Sequence, residues 1–237
     1  MEWFVAIQAA DNAYPPDYFA AQIRKSDAKI AWQYGRIFAL AGVRDVDRLR
    51  VLDVGCGAGP GLRYLAGRGA LVLGLDHSRY ALKTALALSP GAGVALNDST
   101  LGLPCASHSV GLVLLSELVE HIEDAGPLYA ECYRVLQPGG RIVVTTPNLW
   151  DARRVLSPLR GRKWSGDMDS THVNLYTPAR LASELRRSGF AQVRWHTGVK
   201  PAWWLSSRRL RLRLPIVYPP LIGNGLLATG VRPDRNA

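Results

Sequence analysis

The sequence predicts a single α/β domain, a doubly wound and mostly parallel sheet covered by helices on both faces. Three observations carry that expectation. Short apolar runs alternate with segments of helical spacing from residue 50 to residue 197, the pattern of strands joined by crossover helices. The first clear run, RVLDV (50–54), breaks at once into GCGAGPG (55–61), so a buried parallel strand feeds a helix through a turn of bare backbone. A chain of 237 residues suffices for one full core of this kind and falls short of two.

Taken in order, Pro15 and Pro16 open a polar helical stretch reaching about residue 40, with Ile23, Ile30, Trp32, Ile37 and Phe38 as an irregular apolar face. Residues 1–45 therefore read as a helical cap across the site. The core, 46–150, holds expected strands at 50–54, 71–75, 93–96, 109–115 and 140–146, with helices at 60–67, 78–88 and 124–136. Pro60 suits the first position of its helix. After Pro147 a basic connection, DARRVLSPLRGRKWSGDMDST, leads to a helix at 177–188, a strand near 191–197 and a last strand within GNGLLATGVRP at 223–233. Residues 151–237 form the expected substrate-facing part.

Glycines 55, 57 and 59 leave one side of the turn without Cβ atoms, so a ligand can lie against the backbone. A dinucleotide fingerprint spaces its glycines GxGxxG. Counted from Gly55 the third falls on Pro60, and counted from Gly57 it falls on Leu62, which weakens that reading. With VLDVGCGAG (51–59), LVLGLD (71–76), Asn97-Asp98, SELVEHI (116–122) and YRVLQPGGRIVVTTPN (133–148) in this order, the chain resembles the class I S-adenosylmethionine-dependent methyltransferases. A fainter match runs through THVNLYTPARLASELRRSGF (171–190). The resemblance implies a Rossmann-like sheet of seven strands with an antiparallel last strand, and S-adenosylmethionine as the methyl donor.

It also implies roles. Gly55, Cys56, Gly57 and Gly59 would cradle the cofactor, with Cys56 a small filler rather than a nucleophile. Asp53, ending the first strand, is placed for the amino-acid ammonium. Asp76, 21 residues after Gly55, is spaced for the ribose hydroxyls with His77 beside it. Asp98 and Ser99 would meet the adenine, and Ser116 would line the cofactor. Each aspartate has a plainer alternative as the cap of the next helix. One departure stands out: the family usually begins its fourth strand with an aspartate, and Gly111 occupies that place here.

Glu117, Glu120 and His121 are spaced i, i+3 and i+4 and would share one face of a helix, with His172 downstream. A similar arrangement binds a divalent metal in the ubiquinone-pathway O-methyltransferases and in the small-RNA 3′-terminal 2′-O-methyltransferases. Variants of SELVEHI also recur in methyltransferases without metal. The favoured expectation is no metal, with His121 and His172 as general bases for an acceptor hydroxyl.

The first 150 residues carry 13 basic and 14 acidic side chains, and residues 151–237 carry 16 and 5, so the whole excess of +10 lies in the last third. That suits an anionic acceptor or equally a solvated arginine face. Trp203, Trp204 and the alternating RRLRLRL run at 208–214 suit peripheral contact with an anionic membrane through residues 199–222, or a cover for the core with snorkelling arginines. Cys56, Cys105 and Cys132 have no CxxC spacing, and no basic residue precedes the apolar Trp3–Ile7, so the expected location is cytoplasmic. The expected function is methyl transfer to a small-molecule or lipid-like acceptor, on oxygen. The alternatives are RNA 2′-O-methylation, disfavoured because no nucleic-acid module is visible, and cofactor binding without catalysis.

Overall fold

The computed structural model describes residues 14–161, 163–164, 166–167, 169–199 and 222–234. The Trp203-Trp204 pair and the 208–214 run lie outside the described residues. The cap comes as two helices, α1 (Pro16–Ile23) and α2 (Asp27–Ala41), rather than one. Ser26 explains the break: its extended backbone and its Oγ, which accepts from Lys29 N, start a new helix, a cap worth about 1 kcal/mol. Gly42, at φ 72°, ends α2 in the left-handed region.

The core follows as β1 (Arg50–Val54), α3 (Pro60–Ala66), β2 (Leu71–Asp76), α4 (Arg79–Leu88), β3 (Gly93–Leu96), β4 (Val110–Ser116), α5 (Gly126–Val135) and β5 (Leu136–Thr146). Then come α6 (Ala152–Leu156), inside the stretch read as a basic connection, α7 (Pro178–Arg187), β6 (Ala191–Thr197) and β7 (Leu226–Val231). The seven strands lie in the order β3-β2-β1-β4-β5-β7-β6. β7 runs antiparallel to both β5 and β6, and the other pairs are parallel.

Alternation along each strand splits the core in two. Leu52 and Val54 of β1 face one cluster with Leu128 and Tyr129 of α5 and Leu181 and Leu185 of α7. Val51 faces the other, with Ile37 and Phe38 of α2, Leu62 and Leu65 of α3 and Ala85 of α4. Helices cover both faces, so the middles of the central strands are apolar and their polar residues gather toward the ends. Among the described residues no helix is long and apolar enough to cross a membrane.

Strand order reverses between β1 and β4. In open sheets of this kind the crevice for a ligand opens at that switch point, beyond the carboxyl ends of the strands. Asp53, Asp76 and Ser116 all lie at those ends. At the buried Gly111 a Cβ would meet Leu49 Cδ1, the tip of a half-buried side chain. An aspartate in its place has no room without moving that leucine.

Candidate cofactor and acceptor site

A cavity of about 250 Å³ opens at this switch point. Its floor is the glycine turn, whose Gly55 and Cys56 amides both donate to Leu75 O at 2.8 and 2.9 Å. Gly55 (φ 71°) and Gly57 (φ 53°) adopt backbone that a side chain would strain, and an added Cβ at Gly55 would lie 2.8 Å from Leu118 Cδ1. Gly59 (φ 82°) serves differently from expected. It is not in the cavity lining; a Cβ there would meet the Ala85 Cβ at 2.9 Å, so it lets α3 pack against α4.

Asp53 is 2% exposed. Burial, and then the nearby Asp76, push its carboxyl up to about 8. Its Oδ2 occupies the space that a Cβ at Gly61 would fill, so a second glycine, absent from the sequence reading, gives that carboxylate its place. Asp76 accepts from Gly57 N at 2.8 Å through Oδ2 and from Ser78 N at 2.9 Å through Oδ1. It braces the turn and still keeps lone pairs for a ligand. His77 is stacked against Tyr14 at 5.2 Å, and Tyr14 against Tyr18 at 4.4 Å.

The roof is α1. Its Gln22 Oε1 accepts from Ala58 N at 2.9 Å, and the same side chain fills the space where a Cβ at Gly57 would go. Tyr14, Tyr18 and Gln22 were not singled out from sequence. Asp98 and Ser99 lie outside the cavity lining. Asp98 Oδ1 takes both Thr100 N (3.0 Å) and Thr100 Oγ1 (2.7 Å), which is the capping role, while Oδ2 makes no bond among the described residues.

The acceptor end departs from expectation in one respect. Residues 117–121 are not a helix with a shared face. Glu117 stands at φ 56°, in left-handed backbone that a non-glycine residue seldom adopts, and only the single 3-10 turn Val119–His121 follows. That geometry separates Glu117 from the others. Glu120, His121 and His172 offer ligand atoms within 4.8 Å of one another, and Glu117 is not in that group. Glu120 is fully buried, and its carbonyl accepts from Val173 N and Asn174 N at 2.9 and 3.0 Å. Those bonds pin the downstream segment onto the turn and bring the two imidazoles to 4.9 Å between ring centres. Burial first, and then His172, push the His121 imidazole below its usual value.

The lining holds the carboxylates of Asp53, Asp76, Glu117, Glu120 and Asp169, with Lys25 as its one ammonium. The basic excess of the last third is therefore not in the described cavity. Arg153, in an adjoining polar chamber of about 150 Å³ that shares Glu117, Asp169 and His172, is tied to Asp151 and Asn224. A mostly acidic lining with bare backbone and a single ammonium suits a cationic nucleoside.

Residues 52–144 match the family model described as a methyltransferase domain. The chain is 33% identical over 186 residues to the malonyl-[acyl-carrier protein] O-methyltransferase of Methylococcus capsulatus, covering 75% of this chain and 62% of that one. It is 31% identical over 183 residues to the ubiquinone biosynthesis O-methyltransferase of Sinorhizobium fredii, covering 72% and 70%. The chain belongs to the S-adenosylmethionine-dependent methyltransferases. Its fold is that of a methyltransferase of this kind from Archaeoglobus fulgidus, with a TM-score of 0.63 at 19% identity over 91% of this chain and 98% of the other. The methyltransferase spans about half to two thirds of the length of the first curated relatives it matches.

Proposed function

We propose that this methyltransferase moves a methyl group from S-adenosylmethionine to an oxygen of a small-molecule acceptor. The observation that supports it most is continuity: one cavity joins the glycine turn and strand-end carboxylates to two imidazoles. The relatives named above are O-methyltransferases, which favours oxygen.

When bound, S-adenosylmethionine supplies a methyl carbon on a sulfonium, an electrophile that needs no further activation. Asp76 would hold the ribose hydroxyls with the lone pairs that Gly57 and Ser78 leave free. Asp53 would hold the ammonium, Gly55 and Gly57 would allow close approach to their backbone, and Ser116 would line the cofactor. Asp98 Oδ2, with Ser99 beside it, would serve the adenine amino group were the adenine to extend past the described cavity lining. The Tyr14–His77 stack and Gln22 close the roof and exclude water. On the acceptor side, His172 or His121 would take the hydroxyl proton of an acceptor whose oxygen gains the methyl group, S-adenosylhomocysteine being the product left with the sulfur electron pair.

The test is single-turnover release of S-adenosylhomocysteine by the full chain with a panel of phenolic, catecholic and carboxylic acceptors. His172→Ala is expected to spare S-adenosylhomocysteine affinity and slow turnover about hundredfold. A folded protein with no saturable uptake of either nucleoside would end the proposal.

A second reading adds a divalent cation, favoured by the Glu120, His121 and His172 cluster. One carboxylate and two imidazoles suit zinc, manganese or iron. Both Nδ1 atoms lie against oxygen acceptors, Thr171 and Gly166 O, the outer contacts that metal-bound imidazoles need. A cation there would supply positive charge beside the acceptor hydroxyl, and the histidines would then be ligands rather than bases. Undiminished turnover after exhaustive chelation would remove this reading.

A further inference from the structure

We infer that Asp169 and Thr171 are positioning residues that hold His121 as its Nδ1–H tautomer, with the Nε2 lone pair as the working atom. Neither residue touches His121 through sequence proximity; the contact spans 50 positions. Asp169 Oδ1 accepts from Thr171 Oγ1 at 2.6 Å and from Thr171 N at 3.0 Å. A carboxylate facing a hydroxyl at that distance takes its only proton. Thr171 Oγ1 therefore has nothing left but lone pairs to offer His121 Nδ1, which lies 2.8 Å away. Nδ1 must be the donor. The Thr171 carbonyl, 3.3 Å from the same nitrogen, accepts only and points to the same tautomer.

The relay runs in one direction, from imidazole to hydroxyl to carboxylate, and each bond fixes the polarity of the next. Asp169 also accepts from Tyr18 OH at 3.4 Å, which ties the relay to the cap helix α1. His172 reaches the same state by a separate route, since its Nδ1 lies 2.7 Å from Gly166 O and must donate to it. The two neighbouring imidazoles thus both leave Nε2 unprotonated when neutral. This deepens the proposed function, because whether His121 takes a proton or binds a cation, Nε2 is the nitrogen that does so.

The experiment needs no acceptor. The full chain, labelled with nitrogen-15 in its imidazoles and saturated with S-adenosylhomocysteine, is examined by long-range proton–nitrogen correlation at a pH where histidine is neutral, about 8. His121→Gln assigns the His121 signals by their loss. The wild type is expected to show His121 as Nδ1–H. Thr171→Val removes the shorter of the two contacts and leaves the Thr171 carbonyl, so it is expected to shift the ratio part of the way toward Nε2–H, the form an unconstrained imidazole prefers. Asp169→Ala is expected to do the same for a different reason, because the freed Thr171 hydroxyl then donates to Nδ1. Thr171→Ser restores the wild-type signature, which a merely structural role for the methyl group would not do.

An Nε2–H tautomer in the wild type, or an unchanged ratio in either variant that folds, overturns the inference. The readout is independent of turnover. An inert protein with the expected tautomer would sink the methyl-transfer reading and leave the relay standing.

Discussion

Asp76 is asked to do two things at once, brace the glycine turn through Gly57 N and Ser78 N and receive a ribose. Asp76→Asn is therefore expected to weaken S-adenosylhomocysteine binding at least about tenfold by calorimetry, since one oxygen becomes a donor facing donors. Unchanged affinity would count against the ribose role. Asp53 offers a test through pH. Its folded carboxyl sits at about 8, while an unfolded aspartate titrates near about 4. Between those values the unfolded chain holds fewer protons than the folded one, so stability falls as pH rises. Asp53→Asn is expected to remove that slope. Without cofactor, the variant should melt above the wild type at pH 8.5, by about 2–4 °C per kcal/mol recovered, with the gap closing toward pH 5. Parallel melting curves across that range would show that Asp53 is ionised in the fold.

These two carboxylates were legible in the sequence because a strand end in a parallel sheet has a fixed place at the switch point. Asp169, Tyr18 and Gln22 were not, because their contacts cross 151 and 36 positions and no local pattern records them. A signal existed for the relay in the DST preceding His172, but only folding sets Thr171 beside His121.

Among the elements, the strands and the major helices were readable within a few residues, since their apolar periods are unbroken. Two failures have physical causes. Ser26 splits the cap because its hydroxyl competes for a helical amide, while the apolar face continues past it. Residues 117–121 carry perfect helical spacing, yet β4 ends directly against them and Glu117 turns the chain through left-handed backbone. Spacing alone cannot reveal a turn that a strand imposes. Gly111, the second residue of β4, yields a prediction of its own. Gly111→Asp, which restores the family's usual residue, is expected to destabilise the protein by about 1–3 kcal/mol in denaturant titration, because its Cβ meets Leu49. A neutral or stabilising effect would mean that Leu49 repacks freely.

For the whole molecule, the cap matters more than the basic excess. Helix α1 is held over the site by Gln22 on Ala58 N and by Tyr18 on Asp169, so a nucleoside must enter past it. Saturation with S-adenosylhomocysteine is expected to slow amide hydrogen exchange across Pro16–Ile23 several-fold, while α5 and α7 stay as they were, since they cover the opposite face. Equal protection everywhere would indicate global stabilisation and no closing of the cap.

The place of β7 has a consequence for synthesis. Among the described residues it comes last in sequence, yet it lies between β5 and β6 and pairs with both over six and five residue positions. While the ribosome is still adding residues 200–225, the Arg141–Thr146 stretch presents an unsatisfied backbone edge, and Ala191–Thr197 has α7 to pack on but no strand to pair with. The nascent chain must wait with that edge open. Stalled or prematurely terminated products should accordingly be the species that chaperones retain and proteases clear.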